Sequence, residues 1–290
     1  LPHAETDGYD ADGNRLTISS TGRVSGTVLV TTTYTYDGNG NQILASGPSS
    51  ATVSTYDDQK QLVQVQGPNT DLQLVYDGQG DRLRNYEQAV PSPVIANDTQ
   101  DLVGGLSDLV NDGRQDYLYL QPGSGQAPLA TFNPTTGQGV YLATDDLGSV
   151  RLATSPTGAV VGAGAYDAWG NAQPNLGGSG ATLLAALQAS SPFGYAGQQY
   201  DAGPGTYAMR ARTYNPATGQ FASEDPQPYT PDLPVTIDPY VYADDRPTMG
   251  TDPSGARMAT DDNAADTLLI SSALERGSLR SQDGDRRQPH

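Results

Sequence analysis

Four times in the first 86 residues a Tyr-Asp pair opens a short polar run: Tyr9-Asp10-Ala11-Asp12-Gly13-Asn14, Tyr36-Asp37-Gly38-Asn39-Gly40-Asn41, Tyr56-Asp57-Asp58-Gln59-Lys60-Gln61 and Tyr76-Asp77-Gly78-Gln79-Gly80-Asp81. The tyrosines lie 27, 20 and 20 residues apart. A period near twenty holds two short strands and their turns, so it predicts one hairpin per repeat. Strands such as Leu72–Tyr76 alternate their faces, and the Tyr-Asp-x-x-Gly run makes the corner. Lys60 stands where the other copies have glycine, which makes the third copy degenerate. A chain written this way is constrained to strands that pair with their sequence neighbours.

Composition agrees with a thin β structure. Across 290 residues the hydrophobic fraction is 36%, and the mean hydropathy is -0.51, low for a deep single core. Gly 34, Pro 21 and Tyr 17 against Phe 3 suit short strands, tight turns and rings that pack while their hydroxyls stay polar. The formal charge is -18 and Lys60 is the only lysine, which argues against nucleic acid as a partner. There is no cysteine, and His3 and His290 sit at opposite ends, so a thiolate nucleophile, a histidine triad and a Cys/His metal cluster are excluded. No cofactor is expected. No apolar run reaches membrane-spanning length, and the N-terminus lacks the basic and apolar regions of a signal peptide. Because the chain starts inside a repeat, it reads as part of something longer.

Asp10, Asp12 and Asn14, like Asp37, Asn39 and Asn41, place oxygens at alternate positions as a calcium loop does. The loop's glycine would fall on Arg15 and Gln42 and its closing glutamate on Thr21 and Pro48, so hairpin turns account for these residues better.

Residues 87–100 are proline-rich and read as a connector, an irregular rim of the sheet. Leu102–Val110 is hairpin-like, Tyr117–Leu120 alternates, and Tyr141–Asn171 supplies two strands around Ser155–Gly158 and another corner at Tyr166-Asp167. Trp169 reads as a packing anchor. Ala181–Ala189 favours a helix, read as a short insertion over 180–190. Phe193–Pro226 carries aromatic residues at short intervals between Asp-Ala-Gly-Pro-Gly and Asn-Pro-Ala-Thr-Gly, the pattern of consecutive hairpins. Pro226–Pro239 is too dense in proline for a central strand. A second short helix is predicted over 264–276, capped by Asp262 or Asn263 with Leu268, Leu269, Ala273 and Leu274 near one face, and the last dozen residues read as polar and disordered.

The repeats resemble YD repeats. The segment Gly197-Gln198-Gln199-Tyr200-Asp201, the run from Tyr207 through Arg210-Ala211-Arg212, Tyr214, Pro216, Thr218-Gly219, Phe221 and Ser223 to Asp225-Pro226, and the closing Pro247-x4-Asp252-Pro253-x-Gly255 resemble the RHS repeat-associated core. Thr144–Arg151 is similar to the start of that core, with Asp146 where the family often has histidine. Asp245 and Arg246 replace its usual paired asparagines. The resemblance implies an all-β fold: serial β-hairpins forming a coiled strip of sheet that ends in a C-terminal RHS core cap. It divides the chain into YD-repeat hairpins (1–86), a connector and divergent hairpin (87–116), the RHS core (117–255) and a variable C-terminal tail (256–290).

Complete members of this family form a hollow shell around a C-terminal toxin polypeptide. The resemblance therefore implies a structural shell or delivery segment of a secreted or surface RHS polymorphic toxin, with its own tail or a toxin polypeptide as partner. Some relatives cut themselves using two aspartates in Asp-Pro-x-Gly motifs, which here correspond to Asp225 and Asp252. Two carboxyl groups held close do not both ionise readily, so one serves as acid while the other activates water. An aspartyl autoprotease is thus an alternative to a protein without enzymatic activity. Asp225 departs from the motif by preceding Pro-Gln-Pro, it lies 27 residues before Asp252, and Ala256 replaces a bulky apolar residue. Both Asp-Pro pairs also read as turn corners, with Asp238-Pro239 a further candidate partner. Arg210 and Arg212 are expected to share a strand face and pair with carboxylates. A third reading is an extracellular module whose tyrosine-bearing faces bind carbohydrate or a cell surface.

Overall fold

The computed structural model describes residues 4–9, 15–24, 28–48, 50–87, 94–102, 105–174, 180–227 and 237–256. Its strands are antiparallel and follow one another in sequence order through three sheets. The first sheet runs β1 (Ala4–Tyr9), β2 (Arg15–Val24), β3 (Val28–Tyr36), β4 (Gln42–Ser46), β5 (Ala51–Tyr56), β6 (Leu62–Gly67), β7 (Thr70–Tyr76), β8 (Arg82–Glu87) and β9 (Val94–Asn97). The second runs β10 (Thr99–Asp101), β11 (Asp108–Asn111), β12 (Asp116–Leu118), β13 (Ala130–Phe132), β14 (Gly139–Thr144), β15 (Val150–Thr154) and β16 (Val160–Ala163). After α1 (Gly180–Ser190) comes a four-stranded sheet of β17 (Gln199–Asp201), β18 (Thr206–Met209), β19 (Arg212–Asn215) and β20 (Gln220–Phe221).

One aspartate organises each of the corners at Tyr36-Asp37, Tyr56-Asp57, Tyr76-Asp77 and Tyr166-Asp167, and the Thr144-Asp145 corner as well. Asp37 Oδ1 accepts the amides of Asn39 and Asn41, both at 2.9 Å. Asp57, Asp77, Asp145 and Asp167 make the same two bonds, to the residues two and four further on. This Asx turn satisfies amides that the ladder has left behind. It also needs a left-handed residue three positions after the aspartate, filled by Gly40 (φ 76°), Gly80 (φ 93°), Gly148 (φ 81°) and Gly170 (φ 90°). In the third copy Lys60 adopts φ 62°, which costs a side chain about 1–2 kcal/mol. Its ammonium group in turn reaches Glu224 at 2.9 Å. The Asp37 carboxylate is thus committed to backbone amides and Asn41, the use expected of a turn.

The first sheet buries alternate residues, as its polar alternation predicts: on β7 Thr70, Leu72 and Leu74 are buried while Gln73 and Val75 are exposed. Leu62, Val65, Leu72 and Leu74 form its core, with Tyr56 and Tyr76 packed alongside. The second sheet packs Leu109, Tyr117, Leu142, Val150 and Ala153 against Phe193 and against Leu187 of α1. Gly162 permits that helix to approach, since a Cβ there would lie 2.7 Å from the Leu187 nitrogen.

The proline-rich connector contains more structure than its composition predicts. β9 lies within it and β10 begins within it; the two belong to different sheets, with Asp98 alone between them. The helix expected over 180–190 is present as α1. The one expected over 264–276 lies outside the described residues, as does most of the proline cluster after Pro226.

Candidate functional site

The cap is a nest of rings. Tyr195, Tyr207, Met209, Tyr214, Phe221 and Tyr242 form its core, with Trp169 packed against it as the sequence predicts. Tyr214 and Tyr242 have ring centroids 4.3 Å apart. Three buried phenols point at one corner: Tyr195, Tyr214 and Tyr207 donate to the carbonyls of Ala168 (2.9 Å), Trp169 (2.8 Å) and Gly170 (3.1 Å). Burial pushes the Tyr195 phenol up to about 12 and raises the Tyr207 and Tyr214 phenols as well, which keeps all three as neutral donors.

The cap docks on the corners of the first sheet. Tyr240 donates to the Gly40 carbonyl at 3.0 Å and packs edge-on against Tyr36. The Gln42 amide donates to the Ala222 carbonyl at 2.7 Å. Asp201 takes both arms of the Arg82 guanidinium at 2.9 Å.

Arg210 and Arg212 do not alternate along one strand, contrary to the sequence expectation. Strand β18 ends at Met209, which pairs with Arg212, so Arg210 and Ala211 form the intervening turn and Arg210 takes φ 48°. The tight turn sends the two guanidinium groups to different partners. Arg210 donates to the carbonyls of Ser107 (2.7 Å) and Pro253 (2.6 Å) and lies 3.4 Å from Asp108.

Arg212 is the centre of the candidate site. Its Nη2 donates to Asp225 Oδ2 at 2.9 Å and lies 3.5 Å from Asp252 Oδ2, its Nη1 donates to the Pro239 carbonyl at 2.9 Å, and its Nε donates to the Gly255 carbonyl. The guanidinium carbon lies 3.5 Å from the Phe221 ring centroid. Burial draws the Arg212 pKa down, opposed by the charges of Asp252 and Asp225. The two sequence-predicted aspartates are therefore brought together on one nitrogen of a cation that offsets their repulsion.

The two carboxylates differ in setting. The Asp252 side chain is 2% exposed and the Asp225 side chain 24%. Each also serves as a turn corner: Asp225 Oδ1 accepts the Gln227 amide at 2.8 Å, and the Asp252 carbonyl accepts the Gly255 amide at 3.3 Å. Asp238 instead turns the chain by accepting the Tyr240 amide at 2.9 Å, while its neighbour Pro239 supplies the carbonyl on Arg212.

Sequence reasoning missed the position of Arg212 between the aspartates, although it placed arginine with carboxylates. It also missed Ser254, the variable residue of the Asp-Pro-x-Gly motif, whose hydroxyl donates to Asp252 Oδ1 at 2.8 Å. Among the described residues no group of three or more His, Asp or Glu side chains is arranged to hold a metal ion, and no helix is long and apolar enough to cross a membrane.

Serial hairpins with aspartate-set corners, closed by a tyrosine-packed cap that ends in an Asp-Pro-x-Gly turn, define a β-shell segment of the Tyr-Asp repeat class. The chain belongs to the teneurin YD-shell family, whose model matches residues 4–247. It is 26% identical over 263 residues to the tRNA3(Ser)-specific nuclease WapA of Bacillus spizizenii, covering 85% of this chain and 11% of that protein. It is 34% identical over 108 residues to the tRNA(Glu)-specific nuclease WapA of Bacillus subtilis subsp. natto, covering 37% of this chain and 4% of that protein. The chain thus spans a small part of these relatives. Among solved structures, the crystal structure of TcdB2-TccC3 aligns with 87% of this chain and 10% of that one, at 17% identity and a TM-score of 0.37.

Proposed function

We propose that this segment is the shell and delivery part of a secreted or surface RHS-type polymorphic toxin, enclosing or presenting the polypeptide that follows its cap. The observation that carries this reading is how the chain leaves the cap. Arg210 holds the Pro253 carbonyl and Arg212 holds the Gly255 carbonyl, so the point at which the chain leaves the cap is fixed on the cap hairpin. The nuclease names of the WapA relatives fit a shell that carries a toxic polypeptide. Limited proteolysis of the native-length protein tests the reading. Polypeptide beyond residue 256 should persist until the hairpins are cut, and its immediate digestion from an intact shell would overturn enclosure.

A second reading, an aspartyl autoprotease acting once on its own chain, is favoured by a separate observation: Asp225, Asp252 and the Gly255 carbonyl meet on one guanidinium. On a denaturing gel the tail should be released from wild type and retained in Asp252→Asn. An intact wild-type chain sinks this reading and leaves the shell untouched. Carbohydrate binding draws no support from the cap's rings, because Tyr195, Tyr207, Tyr214 and Tyr242 are buried.

A further inference from the structure

We propose that the joint between the first two sheets is a proton-operated catch: with the Asp98 side chain protonated the sheets hold together, and with it ionised the joint opens ahead of the rest of the fold. The catch does not depend on what the shell encloses.

The joint is narrow. Asp98 is the single residue between β9, the last strand of the first sheet, and β10, the first strand of the second. Its amide donates to the Leu83 carbonyl of β8 at 2.8 Å, and the Asn97 amide crosses to the Asp112 carbonyl at 3.1 Å. Gln100 Nε2 of β10 adds a strap to the Arg82 carbonyl at 3.0 Å. Opening exposes Asp98 by breaking these bonds, while β8–β9 and β10–β11 stay paired within their own sheets.

Two buried carboxylates meet at this joint, and their surroundings differ. Asp112 is 5% exposed and well supplied with donors: Oδ1 accepts the amides of Arg114 (2.8 Å) and Gln115 (2.6 Å), and Oδ2 accepts the Tyr117 hydroxyl (2.9 Å). Asp98 is 8% exposed, and its Oδ2 is buried without a hydrogen-bond partner. A carboxylate without donors is the costly one to ionise, so the proton belongs on Asp98.

The charges around Asp98 do not remove that cost. Arg82 of β8 has both arms on Asp201 of β17, so an ionised Asp98 draws on it only by competing with the cap. Arg84, also of β8, donates to Asn97 Oδ1 at 3.0 Å. Arg114, in the turn after β11, lies 3.6 Å from Asp112 and is 56% exposed, where solvent screens it. Asp112 and Asp201 add like charge. Burial dominates, and the Asp98 carboxyl stands at about 6 against an ordinary 3.8. A folded value above the unfolded one favours the closed joint at low pH, and that advantage is lost as pH rises through about 6.

Hydrogen exchange of the native-length protein, followed by mass spectrometry from pH 4 to pH 8 and corrected for the intrinsic pH dependence of exchange, tests the catch. The opening equilibrium reported by the amides of Asn97 and Asp98 should rise roughly 50-fold between pH 4 and pH 7.5 and level off above about pH 6. At pH 7.5 those amides should exchange faster than those of β19, and Asp98→Asn should keep its pH 4 protection throughout. Joint amides without pH dependence in wild type, or with the same dependence in Asp98→Asn, overturn the assignment to Asp98. Joint amides that exchange no faster than those of β19 at pH 7.5 open only with the whole fold, and overturn the catch. Should Asp98→Asn fail to fold, Arg114→Gln decides: losing an exposed cation that favours the ionised form should move the levelling-off to higher pH, and a levelling-off that stays or falls overturns the assignment.

Discussion

Arg82 and Asp201 meet in a two-armed ion pair, 2.9 Å on each arm, with side chains 6% and 5% exposed. It joins the first strand after a Tyr-Asp corner to the first hairpin of the cap, 119 residues later. Burial works against the Arg82 charge, and Asp201 together with Tyr76 and Asp98 more than offsets it, leaving its pKa raised. Removing one partner leaves the other charge buried and alone. Asp201→Asn should therefore lower unfolding free energy by about 3–5 kcal/mol, while Arg82→Met with Asp201→Leu should lie closer to wild type than either single change. Denaturant unfolding measures both, and a single-variant loss under about 1 kcal/mol would contradict a latch between sheet and cap.

The corners give a second test. Asp77 Oδ1 accepts the amides of Gln79 at 2.8 Å and Asp81 at 3.0 Å. Asp77→Ala should cost about 1–2 kcal/mol, and Asp77→Asn, which keeps an acceptor, much less. Thermal unfolding of both variants checks this. Equal losses would mean that the side-chain oxygen does not set the corner.

A third prediction concerns pH. Asp98 lies between β9 and β10, and its Oδ2 is buried without a hydrogen-bond partner. Burial pushes its carboxyl up to about 6 from an ordinary 3.8, with Asp112 and Asp201 adding to the rise and Arg82 and Arg114 opposing it. A raised pKa means that the folded chain binds the proton more tightly. The stabilisation is complete below the ordinary value and is lost as pH rises through about 6. Asp98→Asn should thus be more stable than wild type at pH 7.5 by on the order of 1–3 kcal/mol, with the difference vanishing near pH 4. A difference equal at both pH values would show that the carboxyl does not titrate there.

How far these features were legible in the sequence follows from how local their causes are. The corners were legible because Asp77 and Gly80 act within four residues, through an Asx acceptor and a positive φ that glycine adopts freely. The helix at Gly180–Ser190 stood out for the same reason. The break at Asp98 was not legible, since the Asp98 amide goes to the Leu83 carbonyl and the neighbouring Asn97 amide to Asp112, and no local pattern announces either bond. At the site, Asp225 and Asp252 were marked by their prolines. Arg212 was not marked as the group between them, because it acts across 13 and 40 residues. Its place became visible only once the turn at Arg210-Ala211 had reversed the chain.

Where the polypeptide beyond Ala256 lies is the central question for a shell, and the chain is suited to answering it because it contains no cysteine. A single cysteine at Ser278, in the native-length protein, can be challenged with a small maleimide and with a maleimide carrying a long polymer, with Val53→Cys on the exposed face of β5 as control. Enclosure predicts that both reagents label position 53 while only the small one labels position 278 until the protein is unfolded. Equal labelling of position 278 by both reagents in the folded protein would contradict it.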